Sequence, residues 1–453
     1  MTYYPGYSPD FEELLEENRY FNSRGKFLEA KGVVVAIPTR NEPDFKRPVK
    51  TVRCAMKANL LAKHNGIQEK VIDKVVLCEQ STDPGTVVKT WDGINEEYQK
   101  LKDYYHDDKD LMPELEYFRI GPEMCHQVSN DWKDISLFNE LLKYVHSEDE
   151  LKGKGLNMYL SFLALDPNSL LYLDSDLGDR TSRQCVALAL PMSHMGYEEV
   201  TGTFRRYHRR REEGNTIWER GGRVNAATRA LFDMLVTDSL MAQPGYPLSG
   251  DQGAVNSVLE KMRWPRDFGI ETAWRLQMHS WVNGFNRGKP LMYRKNSTEV
   301  NIIGSDDIAI GKGKIIEEVL KGIANMSGQV AESALAVMDY PSLIKRWKNA
   351  DNFMETFQFK QWASIQTWRR RSEIDYGNGK ALAIAGGINE KQLIDSSLEA
   401  IEPKVRNAFS SEHHHRNMRQ RFLPTPKKVK KFLGKQKYNE LRQGLLKFLR
   451  PIN

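Results

Sequence analysis

The sequence predicts an α/β fold in which a Rossmann-like sheet flanked by helices is followed by a mostly helical C-terminal region. Three short apolar runs lie at residues 32–37, 74–78 and 170–173, and each ends in a polar loop. Stretches of helical character separate the runs, and strands that alternate with helices are typical of a parallel sheet. After residue 308 turn signals are sparse until Gly377, which indicates consecutive helices.

The first run is rich in β-branched residues, and we predict a strand that stops at Pro38 because proline cannot donate to a sheet ladder. The loop that follows carries Arg40 and Glu42. The second run ends in a turn that contains Ser81 and Asp83. Ligands of open α/β sheets bind outside the carboxyl ends of strands, so both loops are candidate binding loops.

The third run leads directly into Asp174, Ser175 and Asp176. Two carboxylates in a half-buried site repel each other unless a cation or hydrogen-bond donors compensate them. A hard divalent cation that also binds phosphate oxygens is the usual compensation. The alternative is a surface turn, for which Asp-Ser-Asp is suitable chemistry. The segment therefore predicts either a Mg²⁺ or Mn²⁺ site or a plain turn.

A Gly-Lys-Gly sequence, Gly153 to Gly155, opens the helical stretch that precedes this third strand. The two glycines permit a close backbone approach, as in phosphate-binding loops. Lys154 would add a positive charge that suits a bound phosphate or another anion. A lone Gly-Lys-Gly is weak evidence, and its position before an Asp-x-Asp strand strengthens it.

The second half of the predicted sheet region holds a group of possible anion contacts. Gly222 and Arg223 precede a helix that starts near Asn225. Helix N–H groups and a guanidinium together suit a carboxylate or phosphate. Arg205 and Arg206 are further candidates, and a surface role for Arg223 is the alternative.

This ordered set of motifs resembles the retaining glycosyltransferases of the GT-A fold over roughly residues 30–300. Within them it is most similar to the synthases that make glucosyl-3-phosphoglycerate and, more distantly, to mannosylglycerate synthase. Two places in the sequence depart from the family pattern. Asn225 stands where the family has Thr, and the segment Pro247–Asp251 reads Pro-Leu-Ser-Gly-Asp where the family has Pro-Leu-Ala-Gly-Glu.

The resemblance implies a nucleoside-diphosphate sugar donor, of the UDP-glucose or GDP-mannose type, and a small anionic acceptor such as glycerate or 3-phosphoglycerate, with retention at the anomeric carbon. Together with the residue chemistry it gives three sets of candidates. The catalytic candidates are Lys154, Asp174, Asp176 and Asp251. The donor-binding candidates are Pro38, Arg40, Glu42, Ser81, Asp83, Lys154, Asp174 and Ser175. The acceptor-binding candidates are Gly222, Arg223, Asn225 and Asn296.

Asp176 and Asp174 are the expected metal ligands, and the third ligand stays open. The family uses a His about thirty residues after its Gly-Ile-Glu element, and residues 291–301 contain no His. Oxygen donors suited to Mg²⁺ or Mn²⁺ are nearby in Glu299, Asn301 and Asp306. His279 is the other alternative.

Composition and charge bound the remaining possibilities. The chain has 453 residues with 40% hydrophobic residues and a mean hydropathy of −0.59. It has no apolar run long enough for a membrane span, no signal pattern, and four scattered Cys, which together predict a cytoplasmic protein. From Lys404 onward fourteen Lys and Arg face two acidic residues, a net charge of +12. Since the whole chain carries +6, the preceding residues carry −6.

We divide the chain into an N-terminal helical extension (1–30), a nucleotide-sugar-binding half (31–190), an acceptor-binding half (191–304), a helical region (305–423) and a basic amphipathic tail (424–453). The tail is expected to bind an anionic polymer or surface, or to dock on the acidic body. An aromatic-rich stretch at residues 347–368 suits a helix core or a homodimer interface.

Two other functions compete with a glycerate-type synthase. One is a GT-A transferase with a macromolecular acceptor, such as a modified DNA base or a polysaccharide, that the basic tail would hold. The other is a non-catalytic nucleotide-sugar-binding module, and the presence of Lys154, Asp174, Asp176 and Arg223 counts against it.

Overall fold

The computed structural model describes residues 11–23, 31–42, 44–132, 153–177, 180–204, 207–212, 215–220, 224–235, 248–282, 297–302, 316–338, 340–376, 388–420 and 422–452. The strands in this part of the chain are β1 (Val33–Thr39), β2 (Ile72–Glu79), β3 (Glu114–Arg119), β4 (Ser169–Tyr172), β5 (Glu199–Phe204), β6 (Tyr207–Glu212), β7 (Asn215–Arg220), β8 (Gln252–Val255), β9 (Trp264–Pro265), β10 (Ser297–Ile302), β11 (Phe422–Leu423) and β12 (Leu449–Pro451).

Eight of these strands form one sheet in the order β10-β5-β8-β4-β1-β2-β3-β12. The pairs β1–β2, β2–β3, β1–β4 and β5–β10 are parallel, whereas β8 runs antiparallel to both β4 and β5, and β12 runs antiparallel to β3. The carboxyl ends of β1, β2 and β4 therefore lie side by side, next to the amino end of β8. The predicted α/β class, with a mainly parallel sheet flanked by helices, is confirmed.

The first strand continues one residue beyond the predicted stop, because Pro38 lies within β1 opposite Cys78 of β2. The pairing of β1 with β4 ends at Ala36, which faces Tyr172. Pro38 therefore lies beyond the last residue of β1 that pairs with β4. Its missing N–H does not cost a hydrogen bond between these two strands.

Helices cover both faces of the sheet. They are α1 (Phe11–Ser23), α2 (Lys46–Met56), α3 (Ala58–His64), α4 (Pro84–Tyr104), α5 (Pro122–Trp132), α6 (Lys154–Leu165), α7 (Ser182–His194), α8 (Val224–Leu235), α9 (Asn256–Leu259), α10 (Gly269–Val282), α11 (Ile316–Val337), α12 (Tyr340–Arg346), α13 (Ala350–Tyr376), α14 (Glu390–Ser410), α15 (Glu412–Gln420) and α16 (Pro426–Leu446). A 3₁₀ turn spans Lys109–Leu111.

Alternation along the strands separates two hydrophobic cores. Leu171 and Leu173 point into the core that the N-terminal helices share, whereas Leu170 and Tyr172 point into the second core. The second core contains α6, whose residues are buried on all sides, as expected of a helix pressed between a sheet and another helix layer. Both faces of the central strands are thus covered, which is the usual condition of parallel strands.

The C-terminal region is helical, as predicted, in the part of the chain that the structure describes. Helix α11 packs against α10 and α14, and α13 packs against α8. At the other end of the chain, α1 packs against α7 and buries Leu14 and Leu15. The N-terminal helix is therefore attached to the sheet domain.

The basic segment 424–453 packs on the sheet domain, which agrees with the second of the two alternatives that the sequence left open, docking on the body of the protein. Helix α16 packs against α6 and buries Val429, Leu441 and Leu445 in the second core. Strand β12 then extends the main sheet at β3. The sequence shows the periodic apolar positions but not the sheet edge that they cover.

Among the described residues, Cys54, Cys78 and Cys185 are free and buried. In the described residues no helix combines the length and apolar character that crossing a membrane requires.

Candidate active site

The loop after β4 places one carboxylate inside the protein and one at its surface. Asp174 is 9% exposed and Ser175 is 8% exposed, whereas Asp176 is exposed. The apolar side chains at residues 170–173 point into both cores, which keeps the chain inside the protein as far as Asp174. Asp174 is therefore buried, and the chain reaches the surface at Asp176. The alternative of a plain surface turn does not fit a buried Asp174.

Lys154 is the direct partner of Asp174. Its Nζ donates to Asp174 Oδ1 at 2.5 Å and to Glu271 Oε1 at 2.6 Å. Burial by itself lowers the pKa of Lys154, but the charges of Asp174 and Glu271 outweigh burial and raise it above its usual value. The ammonium is therefore protonated at any physiological pH and provides a fixed positive charge at the carboxyl end of β4.

Glu271 is a site residue that the sequence analysis did not select. It lies in the first turn of α10 and is 8% exposed. The sequence contained one signal, the Gly-Ile-Glu element at a helix start, which served only as a landmark for the expected metal ligand. Its contact with Lys154 crosses 117 residues, and no local pattern indicates such a pairing.

Asp251 is completely buried and lies beneath Asp174 rather than beside an open space. Its Oδ1 accepts the backbone N–H of Asp174 at 2.7 Å. Arg180 donates to both carboxylate oxygens of Asp251, with Nη2 at 2.8 Å from Oδ1, and Nη2 also donates to the backbone carbonyl of Asp174 at 3.0 Å. Asp251 therefore supports the backbone of Asp174 from below the site. Arg180 is a second site residue that the sequence analysis missed.

Glycines make room for the close contacts around this site. A Cβ on Gly250 would overlap both carboxylate oxygens of Asp174. A Cβ on Gly153 or Gly155 would overlap the backbone carbonyl of Arg266 or Pro265, respectively, and Leu156 N–H donates to Arg266 O at 2.9 Å. The glycines around Lys154 thus allow the start of α6 to pack against the backbone of Pro265 and Arg266. We expected them instead to allow a phosphate to approach the backbone.

The loops after β1 and β2 are bonded to each other. Asn41 N–H donates to the Ser81 hydroxyl at 2.6 Å, and Thr82 N–H donates to Asn41 Oδ1 at 2.8 Å. Asn41 has a φ of 45°, a conformation that Asn tolerates better than most residues. Ser81 is 1% exposed. Its hydroxyl therefore holds the two loops together. A contact between this hydroxyl and a nucleotide sugar would have to compete with the bond from Asn41.

The other residues predicted to bind the nucleotide sugar either have a partner within the protein or are partly buried. Glu42 Oε1 accepts from Arg47 Nη1 at 3.3 Å, and burial raises the pKa of Glu42. Asp83 caps α4 by accepting from Thr86 N–H at 2.7 Å, and its bonds to Thr86 lower its pKa. Arg40 is half-buried, and burial lowers its pKa. Pro38 is half-buried at the end of β1.

The acceptor-side candidates are only partly within the described residues. Asn225, in the first turn of α8, accepts the N–H of Leu248 through Oδ1 at 3.2 Å. Leu248 begins the segment that contains Gly250 and Asp251, so Asn225 is linked to the Asp174 cluster through a short stretch of backbone. Arg205, Arg206, Gly222, Arg223, Pro247 and Asn296 lie outside the described residues.

Backbone positions argue against two of the proposed third metal ligands. His279 and Glu271 share α10, and eight residues of helix separate their Cα atoms by about 12 Å along the axis. Glu299 pairs with Thr201 of β5, and β10 lies three strands from β4, a lateral distance of about 14 Å. Asn301 lies on the same strand, and Asp306 lies outside the described residues.

Among the side chains that the structure describes, no group of three or more His, Cys, Asp or Glu residues is arranged to hold a metal ion. The oxygen donors present still fit a hard cation of the Mg²⁺ or Mn²⁺ type, because such ions are commonly held by one or two carboxylates while substrate phosphates and water complete the shell. The exposed carboxylate of Asp176 is the accessible donor, and Asp174 is the adjacent one.

The chain is similar to crystal structures of glucosyl-3-phosphoglycerate synthase from Mycobacterium tuberculosis. The complex with Mn²⁺, UDP and phosphoglyceric acid has 15% sequence identity and a TM-score of 0.40, and the match covers 73% of this chain and 84% of that chain. The complex with phosphoglyceric acid has 17% identity and a TM-score of 0.41, with 74% and 85% covered. The complex with Mn²⁺ and UDP-glucose has 15% identity and a TM-score of 0.41, with 73% and 85% covered.

These structures belong to the enzyme group that the sequence motifs resemble. No protein-family model matches the sequence, and neither does any curated protein. With TM-scores near 0.40 the likeness carries no weight for substrate or activity, which rest on the residues of this chain.

Proposed function

We propose that this protein is a metal-dependent hexosyltransferase. It would move a hexose from a nucleoside-diphosphate sugar, of the UDP-glucose or GDP-mannose type, to a small hydroxy acid such as glycerate or 3-phosphoglycerate, with retention. The observation that carries the proposal is the buried contact of Lys154 with Asp174 and Glu271 at the carboxyl end of β4, next to the exposed Asp176.

The formal charges of this cluster favour a divalent cation. Asp174, Asp176 and Glu271 contribute three negative charges and Lys154 one positive charge, so the cluster carries −2. A diphosphate that approaches this cluster is repelled unless a cation lies between them. A Mg²⁺ or Mn²⁺ ion held by Asp176, with Asp174 adjacent, would neutralise the cluster and stabilise the charge that develops on the leaving diphosphate.

The residues of the chain divide the remaining work. The protonated Lys154 presents a fixed charge whose orientation is already set by its two carboxylate partners, so no rearrangement is needed when the leaving group becomes more negative. The bonded loops after β1 and β2 form the adjacent wall, where Asn41 and Thr82 would face the nucleoside. Contacts to the nucleoside, which does not change during transfer, would mainly set the affinity for the donor, whereas the charge directed at the leaving diphosphate acts more strongly on the transition state than on the substrate.

The acceptor is proposed to be small and anionic because its candidate contacts are cationic or at a helix start. Arg223 and Gly222 directly precede α8, whose first turn contains Asn225. A carboxylate or phosphate of the acceptor would bind there through charge-assisted hydrogen bonds. The bond from Leu248 to Asn225 fixes this helix start relative to the segment that supports Asp174.

A thermal-shift screen of nucleoside diphosphates and their sugars, with and without Mn²⁺, tests this proposal. A ligand that binds only the folded protein raises its melting temperature. We expect the nucleotides of one base to raise the melting temperature more in the presence of Mn²⁺ than in its absence. Transfer would then be measured with glycerate and 3-phosphoglycerate. If no nucleotide shifts the melting temperature under either condition, the proposal is wrong.

The basic surface of α16 favours a second candidate, in which the acceptor is a polymer. Lys427, Lys428 and Lys431 are exposed on one face of this helix, and Phe432 on the same face is 58% exposed. Phosphate or sulfate groups of a polymer would contact such a face. A triple charge reversal at the three lysines should abolish salt-sensitive retention on heparin or DNA and leave donor hydrolysis unchanged. Wild-type protein that is not retained at low salt would remove this candidate.

The aromatic stretch contains a candidate homodimer contact. Phe353 and Phe357 are buried, as predicted for a helix core, whereas Phe359 and Trp362 are 63% and 49% exposed with ring centroids 6.3 Å apart. We propose that this pair contributes to self-association. The molar mass of wild type and of F359E/W362E, measured by light scattering, decides whether it does.

A further inference from the structure

The backbone of Asp174 is held on both sides by one buried ion pair. Asp251 accepts its N–H and Arg180 donates to its C=O, while Arg180 and Asp251 bind each other through both Nη atoms. The Arg180 and Asp251 side chains are completely buried. Neither can touch a substrate without a large rearrangement, so their contribution to the site must pass through Asp174.

The pair is itself anchored to two neighbouring elements, α2 and β5, and by a local contact within the segment that contains Asp251. Cys54 of α2 donates through its thiol to the Arg180 carbonyl at 3.2 Å. Gly202 N–H of β5 and the Ser249 hydroxyl donate to the Asp251 carbonyl at 2.8 and 2.9 Å. These contacts connect the pair to both halves of the sheet, which gives Asp174 a fixed position relative to the strands on either side.

The carboxylate of Asp174 is constrained by a third contact. Gly250, the residue before Asp251, lies so close to both carboxylate oxygens that any side chain there would overlap them. The same short segment thus fixes the Asp174 backbone through Asp251 and limits its side-chain rotation through Gly250. Since Lys154 takes its orientation from Asp174, the constraint extends to the ammonium.

We propose that Arg180 and Asp251 are positioning residues that keep Asp174, and through it Lys154, in the geometry used for the diphosphate. This rests on the proposed function and revises the catalytic role that the sequence suggested for Asp251. A buried ion pair is not required for stability as such, because apolar replacements of both partners are often tolerated. The buried pair is consistent with a need to place Asp174 and Lys154 precisely. Displacements of about 1 Å in a catalytic group can lower turnover about 10²-fold.

The test compares two single substitutions that remove one buried carboxylate charge. Asp251→Asn leaves a single acceptor oxygen where two are used, so either Arg180 or Asp174 loses its partner. Glu199→Gln is the matched control, because Glu199 is also buried, lies 3.7 Å from Arg275 and accepts a hydrogen bond from the Thr201 hydroxyl of β5. The readout is the rate at which acetic anhydride modifies Lys154, measured by peptide mass spectrometry on folded protein.

We expect the modification rate of Lys154 to rise at least about tenfold in D251N and to stay near the wild-type rate in E199Q. In activity assays D251N should lower kcat about 10–100-fold, as supporting residues of metal sites do, with the donor KM within about threefold. If D251N does not fold, the double variant R180M/D251L replaces the pair by apolar side chains and should show the same rise.

An unchanged Lys154 rate in a folded D251N or R180M/D251L protein overturns the inference. So does an equal rise in E199Q, which would mean a general loosening of the sheet. The labelling needs neither metal nor substrate. If the wild-type protein turns over no nucleotide sugar, the proposed function fails while the labelling still decides whether the pair positions Lys154.

Discussion

Lys154 Nζ lies 2.6 Å from Glu271 Oε1, although 117 residues separate them in the sequence. The first residue of α6 and the first turn of α10 are thereby joined. The bond also brings the acidic element Gly269–Glu271 next to the loop after β4. One charged contact thus connects the nucleotide-sugar-binding half of the chain with the half we assign to the acceptor.

The contact predicts strong energetic coupling between the two residues. Lys154→Met leaves two buried carboxylates without their cation, which typically destabilises a protein by about 3–5 kcal/mol. In K154M/E271Q part of this repulsion disappears, so the double variant should be at least about 1 kcal/mol more stable than the sum of the single effects. Urea denaturation of the four proteins measures the coupling.

The matched control is the exposed pair Lys100 and Glu96, which lie 2.7 Å apart on α4. Exposed pairs of this spacing contribute little to stability, because solvent and salt screen the two charges. K100M/E96Q should therefore show a small coupling energy. Additive effects at Lys154 and Glu271, as at the surface pair, would contradict the buried cluster.

His194 predicts a loss of stability on mild acidification. Burial lowers its pKa, which the carboxylate of Glu69 at 3.9 Å only partly opposes. The unfolded chain therefore binds a proton at a higher pH than the folded protein. Stability is then fully present above the unfolded value of about 6.5 and decreases as the pH falls below it.

We expect the free energy of unfolding to decrease more between pH 7.5 and 5.5 in the wild type than in H194Q, as measured by urea denaturation. The comparison with the variant is needed because burial raises the pKa of Glu42, Asp73 and Glu79, and a raised carboxyl pKa changes stability in the opposite sense. Equal pH dependence in both proteins would show that His194 is solvated.

Truncation before Pro424 is predicted to destabilise the protein. The truncation removes the apolar face of α16, including Val429, Leu441 and Leu445, and leaves the edge of β3 unpaired. An exposed apolar surface beside an open strand promotes aggregation. Soluble yield and melting temperature measure the effect, and the triple charge reversal at Lys427, Lys428 and Lys431 is the control that should fold normally. A truncated protein with the wild-type melting temperature would contradict the packing of α16 and β12 on the sheet domain.

The buried thiols predict selective labelling. Burial raises the pKa of Cys78 to about 12 and also raises the pKa of Cys54 and Cys185. Thiolates are the reactive form, so iodoacetamide at pH 8 should modify these three residues only after denaturation. Mass spectrometry of native and unfolded samples identifies the labelled sites. Rapid native labelling of Cys78 would place β2 at the surface and contradict the sheet order.

Local patterns were sufficient for the central strands, α6 and the helical C-terminal region. The alternation and turn chemistry that mark these elements lie within a few residues of each other. The same patterns located Asp174, Asp176 and Lys154, because a polar residue at the end of an apolar run is visible in the sequence alone.

Long-range contacts determine what the sequence could not provide. Glu271 and Arg180 acquire their roles from partners 117 and 71 residues away, and neither pairing leaves a local pattern. The position of the basic segment stayed open for a related reason. Its charge is conspicuous, whereas its buried residues become meaningful only when the edge of β3 is known.

The most direct test of the central claim is the metal dependence of diphosphate release from a nucleotide sugar by wild type and by Asp176→Asn. Asp176 is exposed and contributes little to the core, so the variant should fold normally. The account predicts that EDTA abolishes release, that Mn²⁺ or Mg²⁺ restores it, and that D176N is slower by about two orders of magnitude or more, as expected when a metal-stabilised leaving group is lost. Release that resists EDTA and proceeds at the wild-type rate in D176N would contradict it.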